Sequence, residues 1–374
     1  MRSKAAVRSR FLSYTGCMGM ILVLSCFLIS SCGVRRIVDQ ITMAQSLGYD
    51  LDGKRVRSTL LFGDYSEKEK TNIKILSAES ISSMDTFQLL NTKSKHSIHA
   101  GQMGLVIFGK EYAKQGIGSV MTRLFKEPYI SSQLQLAVAG TNAAELLSST
   151  VKTHDTSFIM NMIEQSEQWG NLPKVNLQTS LYNYYGAGRD LFLPYFIMEG
   201  GTVKIDGIAL FKDDKFVTNV DIRDAFVLKL LTENARNGSI LMPLKKSGSL
   251  PDDYILMKSI TSKRTFQLVS REPSPAILIK IKMKVSVRDK PEYLRLESKE
   301  ELSAFEQKLT AYLVKKSEAF ISLCKSKQID PIGLGDFVRS KSRRWNERDF
   351  QSSYPSLKTV IRIDLTIVQT SLAE

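Results

Sequence analysis

The residue best placed for covalent chemistry is Cys32, near the start of the 374-residue chain. The first ten residues carry four basic side chains and no acid, and residues 16–29 are almost wholly apolar. Ile29-Ser30-Ser31-Cys32 then places small residues before the cysteine, the order of a signal peptide that ends in a lipobox. We therefore predict that residues 1–31 are a signal peptide, cut before Cys32. The thiol and the new amine of Cys32 would then carry acyl chains.

Three alternatives stay open for this N-terminal segment. Residues 11–29 approach the roughly 17 to 25 residues of an uncleaved membrane helix, although residues 13–16 dilute the first half. The chain could also be secreted without a lipid. Cys26 is a second candidate for acylation, but its neighbour Leu24 is large where a lipobox needs a small side chain. Lipidation at Cys32 fits best and predicts a chain held on a membrane, outside the cytoplasm.

Other chemistry-bearing residues are few. His96 and His99 are three apart, as two ligands on a helix would be, but the sequence around them favours an extended segment, and His154 is distant. Cysteine or carboxylate partners are missing, so we expect no metal site. The sequence contains no Gly-x-Ser-x-Gly elbow, Cys-x-x-Cys pair or Gly-x-Gly-x-x-Gly fingerprint. We therefore expect neither an enzyme nor a cofactor.

The charge of the chain favours a solvated surface. The formal net charge is +14, and about +10 remains once residues 1–31 are removed. Basic residues are mixed with acids along the chain, so we expect no nucleic-acid partner. Attraction of the basic surface to anionic lipid headgroups, added to the acyl anchor, is the alternative.

The strands and helices that the sequence pattern predicts alternate along the chain, which indicates an α+β fold. Asp52-Gly53 between two strand-like runs predicts a hairpin, and residues 203–211 and 216–220 predict a second one. Helices are predicted at 221–234 and 299–327, and a buried closing strand at 359–368. Cys324 shares the apolar spacing of the long helix and is predicted to be a buried core thiol. Gly186-Ala187-Gly188-Arg189 predicts an exposed loop.

The sharpest local pattern is Asp330-Pro331-Ile332-Gly333-Leu334-Gly335. Pro331 bars continuation of the long helix, and the two glycines allow backbone angles or close contacts that other residues resist. This pattern indicates a structural role. Beyond it we expect a basic helix with Arg343 and Arg344 on a solvated face and Trp345 packed inward. The alternative reading is a docking surface for a partner or for headgroups.

Several stretches, in the same order along the chain, resemble a known family. They are Cys32-Gly33-Val34-Arg35-Arg36 with Leu47-Gly48-Tyr49-Asp50, the weaker match 106–113, Leu193-Pro194-Tyr195 with 205–215, and 328–335 followed by Trp345 and Tyr354-Pro355. This pattern resembles the Ger(x)C family, the lipoprotein C subunits of spore germinant receptors. Gly33 and Val34 depart from the Trp and Asp that the family often has there.

The resemblance implies three α+β domains behind a lipid anchor, which we place at 32–195, 196–262 and 263–374. It also implies an extracytoplasmic lipoprotein on the spore inner membrane that works with integral-membrane receptor subunits and has no established catalytic site. Cys32 is the one functional residue that the resemblance carries over; Arg343, Arg344 and Trp345 are our candidate docking residues. The alternative function is a small-solute-binding lipoprotein of a membrane transport system, which would show a deep pocket with converging polar groups.

Overall fold

The computed structural model of the chain describes residues 41–64, 72–244, 253–270 and 275–370. The predicted signal peptide and Cys32 lie outside the described residues. None of the helices within these ranges combines the length and the apolar character that crossing a bilayer requires.

Short strands and helices alternate through the first half of the chain. They are β1 (Ile41–Met43), β2 (Ser46–Asp52), β3 (Arg55–Asp64), β4 (Asn72–Ser80), α1 (Thr86–Asn91), β5 (Ser97–His99), β6 (Leu105–Gly109), α2 (Lys110–Gln115), α3 (Gly118–Lys126), β7 (Gln135–Ala139), α4 (Ala143–Val151), α5 (Phe158–Gln168) and α6 (Leu177–Tyr185).

Longer elements dominate the second half. They are β8 (Phe192–Glu199), β9 (Thr202–Lys212), β10 (Lys215–Asp221), α7 (Ile222–Thr232), β11 (Ser239–Pro243), β12 (Tyr254–Ser270), β13 (Ala276–Asp289), α8 (Lys299–Ser326), α9 (Leu334–Lys341), α10 (Glu347–Ser353) and β14 (Lys358–Thr370).

The larger sheet has eight strands in the order β10-β9-β8-β7-β6-β2-β3-β4. Its central strands β2, β6, β7 and β8 are parallel neighbours, and the outer pairs are antiparallel. Every residue of β6 and β7 is buried. Val106 and Phe108 face one hydrophobic core, whereas Leu105 and Ile107 face a second core that contains residues of α4 and α5. A strand covered on both faces is continuously apolar, which explains these sequences.

The smaller sheet has four strands in the order β11-β12-β13-β14. Strands β13 and β14 are parallel, and the chain between them includes α8. Ser298 and Glu301 form a capping box at the start of α8, which satisfies backbone N–H groups that a helix leaves free. Buried residues alternate along β13, so that Ile279 and Ile281 face the core that also holds residues of α8, while Lys282 is exposed.

The architecture confirms the predicted α+β class, both hairpins, and the helices that became α7 and α8. Cys324 is fully buried in α8, as its spacing predicted. The domain boundaries proposed at 195 and 262 fall inside β8 and β12, so the two sheets continue across these positions. The division into three domains stays a prediction.

Candidate functional site

The 330–336 segment follows α8 and contains the start of α9. Hydrogen bonds between its own residues hold its conformation. The carboxylate of Asp330 accepts hydrogen bonds from the backbone N–H groups of Gly333, at 2.9 Å, and Gly335, at 2.8 Å. Gly333 has a φ of 78°, in the left-handed region that favours glycine. The segment is therefore a tight turn that is closed by a buried carboxylate.

This segment is fastened to the 186–190 loop, which follows α6. The backbone N–H of Asp336 donates to the carbonyl of Gly188 at 2.7 Å. A Cβ atom at Gly335 would lie 2.9 Å from the Cα of Gly188 and 2.6 Å from the ring of Phe350, so only glycine fits there. Gly188 is buried. The expectation of an exposed loop at 186–189 is therefore wrong at Gly188, because the loop packs its backbone against a segment that is distant in sequence.

Two carboxylates hold the junction between the 330–336 segment and the 186–190 loop. Asp190 accepts the backbone N–H of Asp330 at 2.6 Å and pairs with Lys212 at 3.3 Å. Burial raises the pKa of Asp330 to about 6, although backbone hydrogen bonds oppose this rise. Burial also raises the pKa of Asp190. Both side chains are occupied by the chain's own backbone, which indicates a structural role for the junction.

The Cys324 thiol and the Tyr354 hydroxyl lie beside this junction, and both have raised pKa values. Burial raises the pKa of the Cys324 thiol well above its ordinary value, with a further rise from the charges of Asp330 and Asp190. The hydroxyl of Tyr354 donates to the carbonyl of Ile329 at 2.8 Å, and its pKa is raised by burial. Within the described ranges, no group of three or more His, Cys, Asp or Glu residues is arranged to hold a metal ion.

A cavity of about 550 Å³ lies beside the junction. Its wall includes α6, the 186–190 loop, the C-terminal end of α7, β12 and α9, through Tyr182, Arg189, Glu233, Arg264, Phe266 and Phe337. Arg189 stacks over the Tyr182 ring, with its guanidinium carbon 4.1 Å from the ring centre, and Arg264 stacks over Phe266 at 4.4 Å. The cavity therefore combines aromatic rings with two guanidinium groups.

The two arginines have different partners. Arg189 forms an ion pair with Asp336, which also pairs with Arg339. Burial alone would raise the pKa of Asp336, but the hydrogen bonds and charges of these arginines outweigh it and lower that pKa. Arg264 donates to the carbonyl of Leu231 at 3.2 Å and has no ion pair with a described carboxylate. Burial, followed by the charge of Arg189, lowers the pKa of Arg264.

The three candidate docking residues lie in the connection between α9 and α10. The sequence predicted a basic helix through this region, but α9 ends at Lys341, and Arg343 and Arg344 occupy an exposed turn. Ser342 and the following residues leave helical geometry there, so the prediction of a continuous helix was wrong. Trp345 is half-buried, and its ring centre lies 6.4 Å from that of Phe350. Phe350 in turn touches the junction at Gly335, so the turn is anchored on one side.

Sequence reasoning missed the cavity because its parts carry no local signal. Arg264 stands in a strand of alternating exposed and half-buried residues, where an arginine is ordinary. Arg189 ends a glycine-containing loop, a position that by itself indicates no site. The approach of these two arginines depends on the junction that fastens the 330–336 segment to the 186–190 loop.

Comparison with known proteins identifies the family. Residues 34–198 match the family described as spore germination protein N-terminal domain, and residues 206–371 match the family described as spore germination B3/GerAC like, C-terminal. The gap between these matches contains the turn between β8 and β9.

Two individual proteins resemble this chain over most of its length. The spore germination protein GerQC of Bacillus cereus is 26% identical over 358 residues, which cover 95% of this chain and 99% of GerQC. The crystal structure of the GerBC protein has a TM-score of 0.58 at 15% identity and covers 90% of this chain and 100% of GerBC, which shows a shared fold. With both family matches in chain order, the protein belongs to the Ger(x)C family of spore germination proteins.

Proposed function

We propose that this chain is the lipid-anchored subunit of a spore nutrient germinant receptor and acts by contact with integral-membrane subunits. The observation that carries this proposal is the match to two spore germination families, which together span most of the chain. The buried carboxylates Asp190 and Asp330 accept hydrogen bonds from backbone N–H groups of the chain itself, so they stabilise the fold. Contact with another subunit is an activity that requires no reacting group.

The anchor in this proposal is Cys32, and the membrane is the inner membrane of the spore, on its extracytoplasmic side. The basic start, the apolar run and the small residues before Cys32 support acylation at this thiol. Confinement to a membrane raises the effective concentration of a neighbouring membrane subunit. A modest interface is then occupied without strong affinity in solution.

The contact surface that we propose is the turn of Arg343 and Arg344 beside Trp345. Both arginines are exposed, and their turn is held between two helices, α9 and α10. Trp345 packs against Phe350 and gives the turn an aromatic base. Arginine and tryptophan are among the residues that contribute most to protein interfaces. The partner surface would be an acidic extracytoplasmic loop of a membrane subunit.

Reversal of both charges, by Arg343→Glu and Arg344→Glu, tests this contact. We expect the double variant to reach the membrane and keep its thermal stability, because exposed charges contribute little to folding. We expect it to co-purify poorly with the membrane subunits from detergent-solubilised spores and to slow germination. The matched control is Lys54→Glu with Arg55→Glu, which reverses two exposed charges at the turn between β2 and β3.

Equal co-purification of the two double variants would exclude the turn as the contact surface. Failure of the unmodified chain to co-purify with any membrane subunit would exclude the receptor proposal itself. The solute-binding alternative predicts a deep pocket with converging polar groups, and the cavity at Arg189 and Arg264 is the feature that favours it.

A further inference from the structure

Two guanidinium groups in the wall of the cavity have donors that the chain leaves without acceptors. The Nε atoms of Arg189 and Arg264 are buried, and no described protein group accepts a hydrogen bond from either. A buried donor without an acceptor lowers the stability of the fold, and a charged donor does so more strongly. These donors mark both side chains as incompletely paired within the chain.

Arg264 is the less compensated of the two arginines. Among the described residues, the one acceptor of a hydrogen bond from its guanidinium is the carbonyl of Leu231, and no described carboxylate forms an ion pair with it. Arg189, by contrast, is paired with Asp336 and donates to the side chain of Asn183 at 3.3 Å. A guanidinium that carries its charge beside a cavity is suited to bind an oxyanion through two parallel hydrogen bonds.

The charges of the wall also favour an anion. Lys174, Arg189 and Arg264 supply three positive charges, and Glu233 and Asp336 supply the two carboxylates. Asp336 is already shared by Arg189 and Arg339. Glu233 accepts the backbone N–H of Lys174 at 3.2 Å. The wall is left with a positive charge that Arg264 contributes.

Apolar residues form another part of the wall and fit a small organic molecule. The rings of Phe266 and Phe337 meet edge to face, with centres 5.3 Å apart, and Phe192 and Ile332 also line the cavity. A volume of about 550 Å³ lies in the usual range for small-molecule sites. An inorganic oxyanion alone would leave most of this apolar surface without contact.

We propose that this cavity binds a small organic carboxylate. The carboxylate oxygens accept hydrogen bonds from the guanidinium of Arg264, with Arg189 beside it, and the apolar part of the ligand packs against Phe266 and Phe337. The proposal goes beyond receptor contact and does not depend on it, because ligand binding is measured on the purified chain and docking is measured by co-purification.

Matched probes test the proposal on the full chain purified in detergent. Hexanoate and hexanamide have the same shape, but only hexanoate carries a negative charge. We expect hexanoate to bind at millimolar concentration in calorimetry and to raise the midpoint of thermal unfolding, as a ligand of the folded state does. We expect hexanamide to bind at least about tenfold more weakly, since hydrogen bonds between two charged groups are stronger than those to a neutral amide.

Variants then place the binding in the cavity. Arg264→Gln should weaken hexanoate binding at least about tenfold, because it removes the charge and the forked donors of the guanidinium. The control is Lys263→Gln, which removes a charge from the exposed neighbour on the same strand and should leave binding unchanged. If Arg264→Gln does not fold, the comparison of hexanoate with hexanamide on the unmodified chain still tests whether the cavity prefers a carboxylate.

Four results would overturn the proposal. One is the failure of hexanoate to bind at millimolar concentration, which would mean that water alone satisfies the arginines. The second is equal binding of hexanoate and hexanamide, and the third is an equal loss of binding in the Arg264 and Lys263 variants. The fourth is binding of inorganic phosphate as tight as that of hexanoate, which would remove the role of Phe266 and Phe337.

Discussion

The carboxylate of Asp190 accepts the backbone N–H of Asp330 at 2.6 Å, although 140 positions separate the two residues. In the other direction, the backbone N–H of Asp190 donates to the carbonyl of Asp330 at 2.9 Å. These reciprocal bonds join the segment after α8 to the loop before β8. The junction therefore connects the elements of the smaller sheet to those of the larger sheet, and it forms one side of the cavity.

The buried carboxyl of Asp330 predicts a dependence of stability on pH. Its folded pKa is about 6, above the ordinary value of 3.8, so the folded chain binds this proton more tightly than the unfolded chain does. The free energy of unfolding should therefore fall as pH rises from about 4 to about 6, by up to about 3 kcal/mol, and then level off. The raised pKa of Asp190 acts in the same direction.

Chemical denaturation across this pH range measures the effect. Asp330→Asn should be less stable than the unmodified chain, because an amide nitrogen cannot accept from a backbone N–H, and its own profile should be flatter between pH 4 and 6. Asp289→Asn changes an exposed carboxyl and should keep the profile of the unmodified chain. A profile of Asp330→Asn as steep as that of the unmodified chain would show that other groups cause the dependence.

Gly335 is expected to tolerate no side chain. Gly335→Ala places a Cβ atom 2.6 Å from the ring of Phe350 and 2.9 Å from the backbone of Gly188, so it should lower the free energy of unfolding by about 1–3 kcal/mol. Gly101→Ala is the control, because a Cβ atom there meets nothing within 4 Å. If Gly335→Ala leaves the stability unchanged but spores that carry it fail to germinate, Gly335 contacts a partner directly instead.

The carboxylate of Asp336 is expected to stabilise the cavity wall. Its partner Arg189 has a side chain only 16% exposed, so Asp336→Asn leaves a mostly buried charge without its carboxylate. We expect a loss of about 2–4 kcal/mol at neutral pH. The pKa of Asp336 is lowered, so the difference should persist at neutral pH and shrink in acid, as the carboxylate of the unmodified chain takes up a proton.

An exposed ion pair is the control for the loss of stability expected in Asp336→Asn. Asp52→Asn breaks the ion pair of Asp52 with Arg57, whose side chains are 55% and 41% exposed. Screening by solvent should limit its cost to less than about 1 kcal/mol. Thermal unfolding of both variants checks the difference. Equal losses would mean that the Arg189 pair contributes no more than a surface pair.

Acylation at Cys32 is expected to hold the chain on the membrane. Cys32→Ala should release the chain, or leave an uncut precursor, and should slow germination through the loss of local concentration. Mass spectrometry of the membrane fraction would show whether acyl chains are present, because more than one chain or an added contact is needed for stable anchoring. A Cys32→Ala chain that is cleaved, carries no acyl group and still stays with the membrane would contradict this prediction.

The sequence by itself determined the elements whose signals are local. Asp221 accepts the backbone N–H groups of Arg223 and Asp224, and this cap was visible in the sequence as an Asp before an apolar run. Gly53 takes the left-handed φ of 59° that a tight hairpin turn needs, as Asp-Gly predicted. The α+β class and the family resemblance followed from such signals, because each depends on residues close together in the chain.

Only the tertiary structure decided which distant residues meet. The burial of Gly188 depends on its contact with Gly335, and the cavity depends on Arg189 and Arg264 reaching the same space from a loop and from β12. No spacing in the sequence encodes these approaches. They follow from the packing of α7, α8 and α9 against the sheets and from buried carboxylates that bind backbone N–H groups far along the chain. Long-range packing and desolvation therefore determined which residues line the cavity, whereas local propensity determined the helices and strands that form its walls.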